Sequence, residues 1–221
     1  MIETFITRKL QNLPIDHSDR LMSRRLPIQD NKFATVISVH APTLQAETGA
    51  RETFYRDLDN LLQQAEKLLI LGDCNARVGR DYELWKGVLG RHGIDSCNDN
   101  GRLLLEFCSE HQVVITSTLF QQKDKFKATR KHPRSKHWHL LDYALTRQHD
   151  TRDILHTRVM PSADCCTDHR LVRCKVAFTF KPPPKRKSRR RSCKCTDFVT
   201  QGQKNNNPQV MLEERFLSVT A

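Results

Sequence analysis

Apolar and polar residues alternate along residues 1–180 in ways that predict strands separated by helices. Two stretches with apolar residues at helical spacing predict helices at 50–67 and 99–112, the second with Asn98 or Asp99 as its N-cap. Stretches that are continuously apolar, or rich in β-branched residues, predict the strands at 32–42, 68–73, 113–118, 137–146 and 170–180. Because strands outnumber helices and helices separate some of them, the pattern predicts a mixed α and β fold around at least one sheet.

The positive charge is concentrated near the C-terminus. The chain of 221 residues has a net charge of +12, and residues 181–195 hold eight Lys and Arg with no acid. Prolines 182 to 184 predict that the folded domain, 1–180, ends at Phe180 and that 181–221 is a basic, disordered tail. Such a cluster indicates a nuclear-import signal or a nucleic-acid patch, although a solvated tail without a partner stays open. Its central residues are Lys185, Arg186, Lys187, Arg189, Arg190 and Arg191.

Membrane insertion and secretion are not expected. The apolar stretches are shorter than the roughly 20 residues of a membrane helix, and the first residues lack the apolar centre of a signal peptide. The eight cysteines are scattered along the chain and two of them, Cys165 and Cys166, are adjacent, which favours free thiols over a disulfide framework. We therefore expect a monomer in the nucleus, or shared between nucleus and cytoplasm.

Polar side chains follow or interrupt the predicted strands. Asp73 ends the strand predicted at 68–73 and Asn75 follows it, Asp142 lies inside an apolar strand, and Asp168 and His169 precede the last strand. Carboxylate and amide oxygens suit Mg²⁺ or Mn²⁺, and a histidine beside an acid can transfer a proton, so the set matches the needs of phosphodiester hydrolysis. Each residue also has a structural interpretation as a turn or cap, but a buried acid such as Asp142 costs several kcal/mol unless it is paired.

The segments "SVHAPT", "LLILGDCNARVG", "HWHLLDYALTR" and "CTDHRLV" resemble the strand-end motifs of the endonuclease/exonuclease/phosphatase superfamily. Within it, residues 15–187 resemble the endonuclease region of non-LTR retrotransposons and host proteins related to it. The resemblance implies a four-layer α/β/β/α sandwich with two packed mixed sheets. It also implies a Mg²⁺-dependent endonuclease, with Mn²⁺ as a possible substitute, that acts on DNA.

The same resemblance implies roles for the polar residues. Asp73 would position the attacking water, Asn75 and His169 would contact the scissile phosphate, and Asp168 would hold the metal. Asp142 would orient His169 and keep it protonated.

Three basic residues are further candidates for phosphate contacts. His40 stands where the family has a tyrosine, and Arg77 and Arg134 are placed to contact the substrate. Their positive or hydrogen-bonding side chains suit a polyanionic ligand.

Several positions depart from the family pattern. A segment with a metal-binding glutamate is expected upstream of "SVHAPT" and is not recognisable, so the first strands are expected to be missing. Cys74 replaces a phenylalanine and Arg130 replaces a tryptophan. These departures leave a second hypothesis open, namely an inactive remnant that binds nucleic acid or protein in the nucleus.

One further pair of residues could bind a metal. His137 and His139 flank Trp138, so both lie on the same face of a strand, as metal ligands often do. No third ligand is evident in the sequence, and the pair alone does not predict a zinc site.

Overall fold

A computed structural model describes residues 13–28, 32–162, 167–177 and 211–212. Within them, the helices are α1 (Thr48–Gln63) and α2 (Asp99–Glu110). Short 3₁₀ segments lie at Thr116–Thr118, Asp124–Phe126 and Gln148–Asp153. The strands are β1 (Ile15–Ser18), β2 (Leu21–Pro27), β3 (Phe33–His40), β4 (Lys67–Asp73), β5 (Val113–Ile115), β6 (Arg130–Lys131), β7 (Trp138–His139), β8 (Asp142–Arg147), β9 (Ile154–Met160), β10 (Leu171–Val176) and β11 (Met211–Leu212).

The strands form a large mixed sheet and two smaller antiparallel ones. The six-stranded sheet has the order β1-β2-β3-β4-β8-β5, and within it β3 and β4 pair in parallel while the other neighbours are antiparallel. The order β11-β10-β9 forms a second sheet, and β6 pairs with β7. The parallel pair is joined by α1, as a parallel connection requires a crossover.

The central strand β4 is buried on both faces. Leu68 and Ile70 pack with Leu58 and Leu62 of α1 in one apolar cluster. Leu69 and Leu71 belong to a second cluster, which also contains apolar residues of the three-stranded sheet: Ile154, Cys174 and Val176. Burial on both sides explains why the β4 sequence is continuously apolar instead of alternating. The chain is therefore a layered α/β sandwich, as predicted, and the described residues contain its helix layer and its two packed sheets.

Two predicted strands are shorter than expected, because hydrogen bonds to side chains replace the backbone hydrogen bonds between strands. The strand predicted at 113–118 ends at Ile115, whose carbonyl accepts a hydrogen bond from Thr118 Oγ1 at 2.7 Å. The strand predicted at 137–146 is divided into β7 and β8. Between them the Leu141 N–H donates to Thr129 Oγ1 at 3.0 Å instead of to a neighbouring strand.

Five strands, namely β1, β2, β6, β9 and β11, were not predicted from the sequence pattern. β2 carries a serine and two arginines at its centre, and it forms an antiparallel hairpin with β1 at the sheet edge, where such polar residues are tolerated. β9 is interrupted by His156 and Arg158 in a similar way. β6 spans two residues, which is too short for periodicity to reveal.

The domain boundary and the basic cluster remain predictions. Phe180 and the six basic residues from Lys185 to Arg191 lie outside the described residues. Residues Met211–Leu212, to which the sequence assigned no structure, pair with β10 through Cys174 and Lys175. In the described residues, Cys74, Cys97, Cys108 and Cys174 are free thiols, in line with the expectation, and no helix there is long and apolar enough to span a bilayer.

The contact between β3 and β4 gives a stability prediction. Gly72 has φ +148°, and a Cβ at this position would lie 1.9 Å from the Val39 carbonyl oxygen. We expect Gly72→Ala to lower the free energy of unfolding by about 3 kcal/mol or more, because the backbone of β3 would have to move. Urea unfolding followed by circular dichroism measures this loss.

Gly49→Ala is the matched control for that variant. Gly49 lies in the first turn of α1 with nothing within 4 Å of an added Cβ. The same substitution there should change stability by less than about 1 kcal/mol. Equal losses in the two variants would contradict the close approach of β3 and β4 at Gly72.

Candidate active site

Sheet register brings three polar side chains to one edge of the large sheet. His40 ends β3 and is paired with Asp73, which ends the parallel neighbour β4. Asp73 is in turn paired with Asp142, the first residue of the antiparallel strand β8. His40, Asp73 and Asp142 therefore lie side by side on adjacent strands, although they are far apart in sequence.

The turn after β4 holds Asp73 and Asn75 in fixed orientations. Asp73 Oδ1 accepts a hydrogen bond from the Asn75 N–H at 2.8 Å, and Asn75 has a left-handed φ of +46°, which asparagine tolerates well. The Asn75 amide Nδ2 donates to the Ala41 carbonyl at 2.8 Å. Asn100, which the sequence analysis did not select, donates to the Asn75 carbonyl at 3.0 Å. It lies in the first turn of α2, whose N-cap is Asn98 instead of the alternative Asp99.

Asp142 is paired with His169, as the resemblance implies. His169 Nδ1 lies 3.0 Å from Oδ2 and 3.2 Å from Oδ1 of Asp142. Asp142 is buried, with only 5% of its surface exposed. Thr129 fixes the backbone of Asp142, because its Oγ1 accepts a hydrogen bond from the Asp142 N–H at 3.2 Å. Thr129 is fully buried and was missed by sequence reasoning, since a single threonine carries no distinguishing signal.

The second nitrogen of His169 faces the other two acids. His169 Nε2 lies 3.9 Å from Asp73 Oδ2 and 4.0 Å from Asp168 Oδ1. One ligand atom from each of Asp73, Asp142 and His169 forms a compact group within 4.8 Å, which we call the Asp-Asp-His trio. A phosphate oxygen placed near His169 Nε2 would thus be close to carboxylates as well as to an imidazole.

Burial and charge shift the pKa values of Asp73 and His169. Burial raises the pKa of Asp73 to about 6, and the charge of Asp142 adds to the rise. Burial alone would lower the pKa of His169, but its hydrogen bond to Asp142 and the charge of that carboxylate raise it above the ordinary value of 6.5. His169 is therefore protonated to a higher pH than a free histidine would be.

Asp168 is more exposed than the trio and is paired with Arg130. The Arg130 Nε–H donates to Asp168 Oδ2 at 2.9 Å, and the Asp168 side chain is 53% exposed. The backbones of the two segments are joined as well, since Arg130 forms a β-bridge with His169, the residue after Asp168. Arg130 was recognised in the sequence as a departure from the family pattern, but its partner was not predicted.

The other candidate residues differ in their distance from the trio. His40 lies beside Asp73 with its side chain partly exposed; the burial of the rest of its ring, together with the charge of Arg20, lowers its pKa. Arg77 lies on the loop after Asn75, where its N–H donates to Asn98 Oδ1 at 2.9 Å, and Arg134 is exposed in the turn between β6 and β7. Among the described residues, no hydrogen bond or ion pair joins either arginine to the trio, so their contacts with substrate stay predictions.

Comparisons with known proteins agree with the fold and place the chain in a family. No family model matches the chain. Craniofacial development protein 2 from Bos taurus is 40% identical over 172 residues, 76% of this chain and 28% of the relative. The protein of the same name from Tragulus javanicus is 36% identical over 191 residues, 83% of this chain and 33% of the relative. The chain thus spans about a third of the length of these curated relatives.

Solved structures share the fold at low sequence identity. The APE2 catalytic domain from Xenopus laevis has a TM-score of 0.55 at 22% identity, over 84% of this chain and 63% of that one. The 3' phosphatase NExo from Neisseria, bound to product DNA hairpin, has a TM-score of 0.50 at 14% identity, over 73% of this chain and 66% of the other.

The layered sandwich, with Asp73, Asp142 and His169 at one sheet edge, defines a protein with a nuclease-like fold. The chain belongs to the family of craniofacial development protein 2. Its fold is the layered sandwich of the endonuclease/exonuclease/phosphatase proteins, as the sequence motifs indicated.

The pairing in the trio predicts a change in histidine titration. In Asp142→Asn the hydrogen bond to a charged partner is lost while burial remains, so the pKa of His169 should fall from above 6.5 to below it. Two-dimensional NMR of the histidine rings across pH 4 to 9 measures this, with His169→Gln assigning the resonance. Asp99→Asn, on the first turn of α2, should leave the titration of His169 unchanged. A His169 titration that is the same in Asp142→Asn would contradict the pairing.

Proposed function

We propose that this chain is a Mg²⁺-dependent phosphodiesterase of the endonuclease type that acts on DNA. The observation that carries the proposal is the arrangement of His169 between Asp142 and Asp73. Asp142 is hydrogen-bonded to Nδ1 of the His169 ring, so Nε2 remains available to a substrate. A cationic imidazole in this position suits a phosphate oxygen, and the acids beside it suit water and metal.

Each residue of the site has a role in this proposal. His169 donates from Nε2 to a non-bridging oxygen of the scissile phosphate, and Asp142 keeps the ring protonated and oriented. Asp73, whose pKa of about 6 leaves it ionised at neutral pH, accepts a proton from the attacking water and orients it. Asn75 is fixed by its bond to Ala41 and presents its amide to the same phosphate.

The donor atoms fit a hard divalent cation. Asp73 Oδ2 and Asp168 Oδ1 are carboxylate oxygens that both face His169 Nε2, and Asp168 is the residue we propose as the main metal ligand. A bound Mg²⁺, or Mn²⁺ in its place, would neutralise charge on the phosphoryl group and on the leaving oxygen. The ion pair from Arg130 competes for Asp168, so metal binding would require Asp168 Oδ2 to share or exchange its partner.

DNA as the substrate is supported by basic groups around the site. Arg20 Nη1 donates to the His40 carbonyl at 3.4 Å, Arg130 contacts Asp168, and Arg170 follows His169 directly in the chain. Together with the net charge of +12, these groups favour a polyanion. NExo, which shares the fold, is a 3' phosphatase bound to a DNA hairpin, and we extend DNA binding to this chain by analogy. Nuclear location is proposed on the basic residues 185–191 alone.

One observation favours a second function, nucleic-acid binding without turnover. A guanidinium at the carboxylate that should hold the metal supplies positive charge to the site without any ion. If Arg130 holds Asp168 permanently, the chain would retain a phosphate-binding edge and lose hydrolysis. Binding and cleavage must therefore be measured separately.

Nicking of supercoiled plasmid by the purified full chain tests the proposed activity. We expect nicking with Mg²⁺ or Mn²⁺, none with excess chelator, and a fall of about 100-fold or more in Asp73→Asn and in His169→Gln, since each removes a group that acts on the phosphate or the water. Asp57→Asn changes a carboxylate on α1, in the helix layer, and should retain full activity.

DNA affinity, measured on the same proteins by fluorescence anisotropy, separates the two functions. Binding without nicking by the folded wild-type chain would support the second function and contradict the first. Nicking that persists in both active-site variants would mean that a contaminating nuclease or another site is responsible.

A further inference from the structure

A second group of potential metal ligands lies on the hairpin formed by β6 and β7. His137 and His139, which the sequence showed as a pair without a third ligand, are joined by Asp95. Asp95 comes from the long loop between β4 and α2 and is distant from both histidines in sequence, so the pattern of residues could not reveal it. We call Asp95, His137 and His139 the hairpin cluster.

The spacing of the ligand atoms in the hairpin cluster is close to the spacing found around a bound metal ion. Asp95 Oδ2 lies 3.1 Å from His139 Nδ1, and Asp95 Oδ1 lies 3.6 Å from His137 Nε2. One ligand atom from each residue falls within a group no wider than 4.8 Å. Ligand atoms of a tetrahedral zinc ion, with bonds of about 2.0–2.2 Å, are about 3.3–3.6 Å apart. His137 is 64% exposed, so its ring can close the remaining gap without disturbing the core.

The cluster is also built to stay in place. The side chains of Asp95 and His139 are only 16% and 20% exposed, and Asp95 adopts a left-handed φ of +62° that turns its carboxylate towards the hairpin. The rings of His137 and His139 lie beside each other, with 4.8 Å between their centres.

Nearby His132 does not belong to the ligand set. Its ring lies 6.5 Å from that of His139, and its Nδ1 accepts the Ser135 N–H at 3.2 Å. The neutral ring therefore carries its proton on Nε2, which is then unable to bind a cation. A water molecule would complete the coordination.

We infer that Asp95, His137 and His139 bind one divalent transition-metal ion of the zinc class. Two imidazoles and one carboxylate prefer Zn²⁺ and similar ions over Mg²⁺, so this site is chemically different from the carboxylates around His169. The inference rests on the hairpin cluster alone and does not depend on the proposed nuclease activity.

The bound ion would stabilise the short β6–β7 hairpin, which lies beside the active site. β6 and β7 are two residues each, and a two-stranded hairpin of that size has little stability of its own. Arg130 of β6 pairs with His139 on one side and forms a β-bridge with His169 on the other. An ion that joins the hairpin to the Asp95 loop would therefore also hold the backbone that carries Arg130 and His169.

Zinc titration of the full chain tests this inference. The chain should carry Cys193→Ser and Cys195→Ser, because that thiolate pair is a competing zinc ligand, and it should have no histidine tag. With Zn²⁺ in competition with a chromogenic chelator, we expect saturable binding that weakens at least about tenfold in His137→Gln, His139→Gln and Asp95→Asn. His132→Gln is the matched control and should bind zinc as the parent chain does.

Two further readouts keep the test decisive. Zinc should raise the melting temperature of the parent chain and of His132→Gln, but not of His139→Gln; the exposed His137→Gln serves if His139→Gln fails to fold. Co²⁺ in place of zinc should give the visible absorption of a site with nitrogen ligands. Zinc affinity that is equal in the parent and in His137→Gln, or no saturable binding at micromolar zinc, would overturn the inference.

Discussion

The hydrogen bond between Asp142 and His169 is the interaction on which the site depends. Asp142 is a carboxylate at the start of the buried strand β8 and only 5% exposed, and an ionised group there is strongly unfavourable without a partner. His169 supplies the opposite charge at 3.0 Å. The same contact fixes which nitrogen of the ring is free, so a requirement of the core and a requirement of phosphate chemistry are met by one pair.

The mixed sheet explains why the remaining groups meet at that pair. A parallel neighbour places the ends of β3 and β4 at one edge, and an antiparallel neighbour places the beginning of β8 at the same edge. Gly72 lets the backbones approach closely where Asp73 follows. The hairpin of β6 and β7 then closes one side of the site, since Arg130 contacts both Asp168 and the backbone of His169.

Site residues at the ends of clearly apolar strands could be identified from the sequence. Site residues whose partners are distant in the chain could not. The apolar run that ends at Asp73 and the acid at the start of β8 identified these two positions, because an acid next to apolar strand residues must have its burial compensated. The motif around His169 helped to indicate the family, and the family in turn predicted the sandwich fold. Asp95 gave no such signal: its partners are set by how a loop meets a hairpin. The pairing of Arg130 with Asp168 was likewise invisible, because sequence shows a charge but not its neighbour.

A double-mutant cycle on cleavage tests most directly whether Asp142 acts through His169. Rates of plasmid nicking would be measured for the wild type, Asp142→Asn, His169→Gln and the variant with both changes. If Asp142 serves to hold and charge His169, the double variant should be no slower than His169→Gln alone, because the two residues act as a unit. Losses that simply multiply would show that the two residues act independently, and they would contradict the role assigned here to the pair.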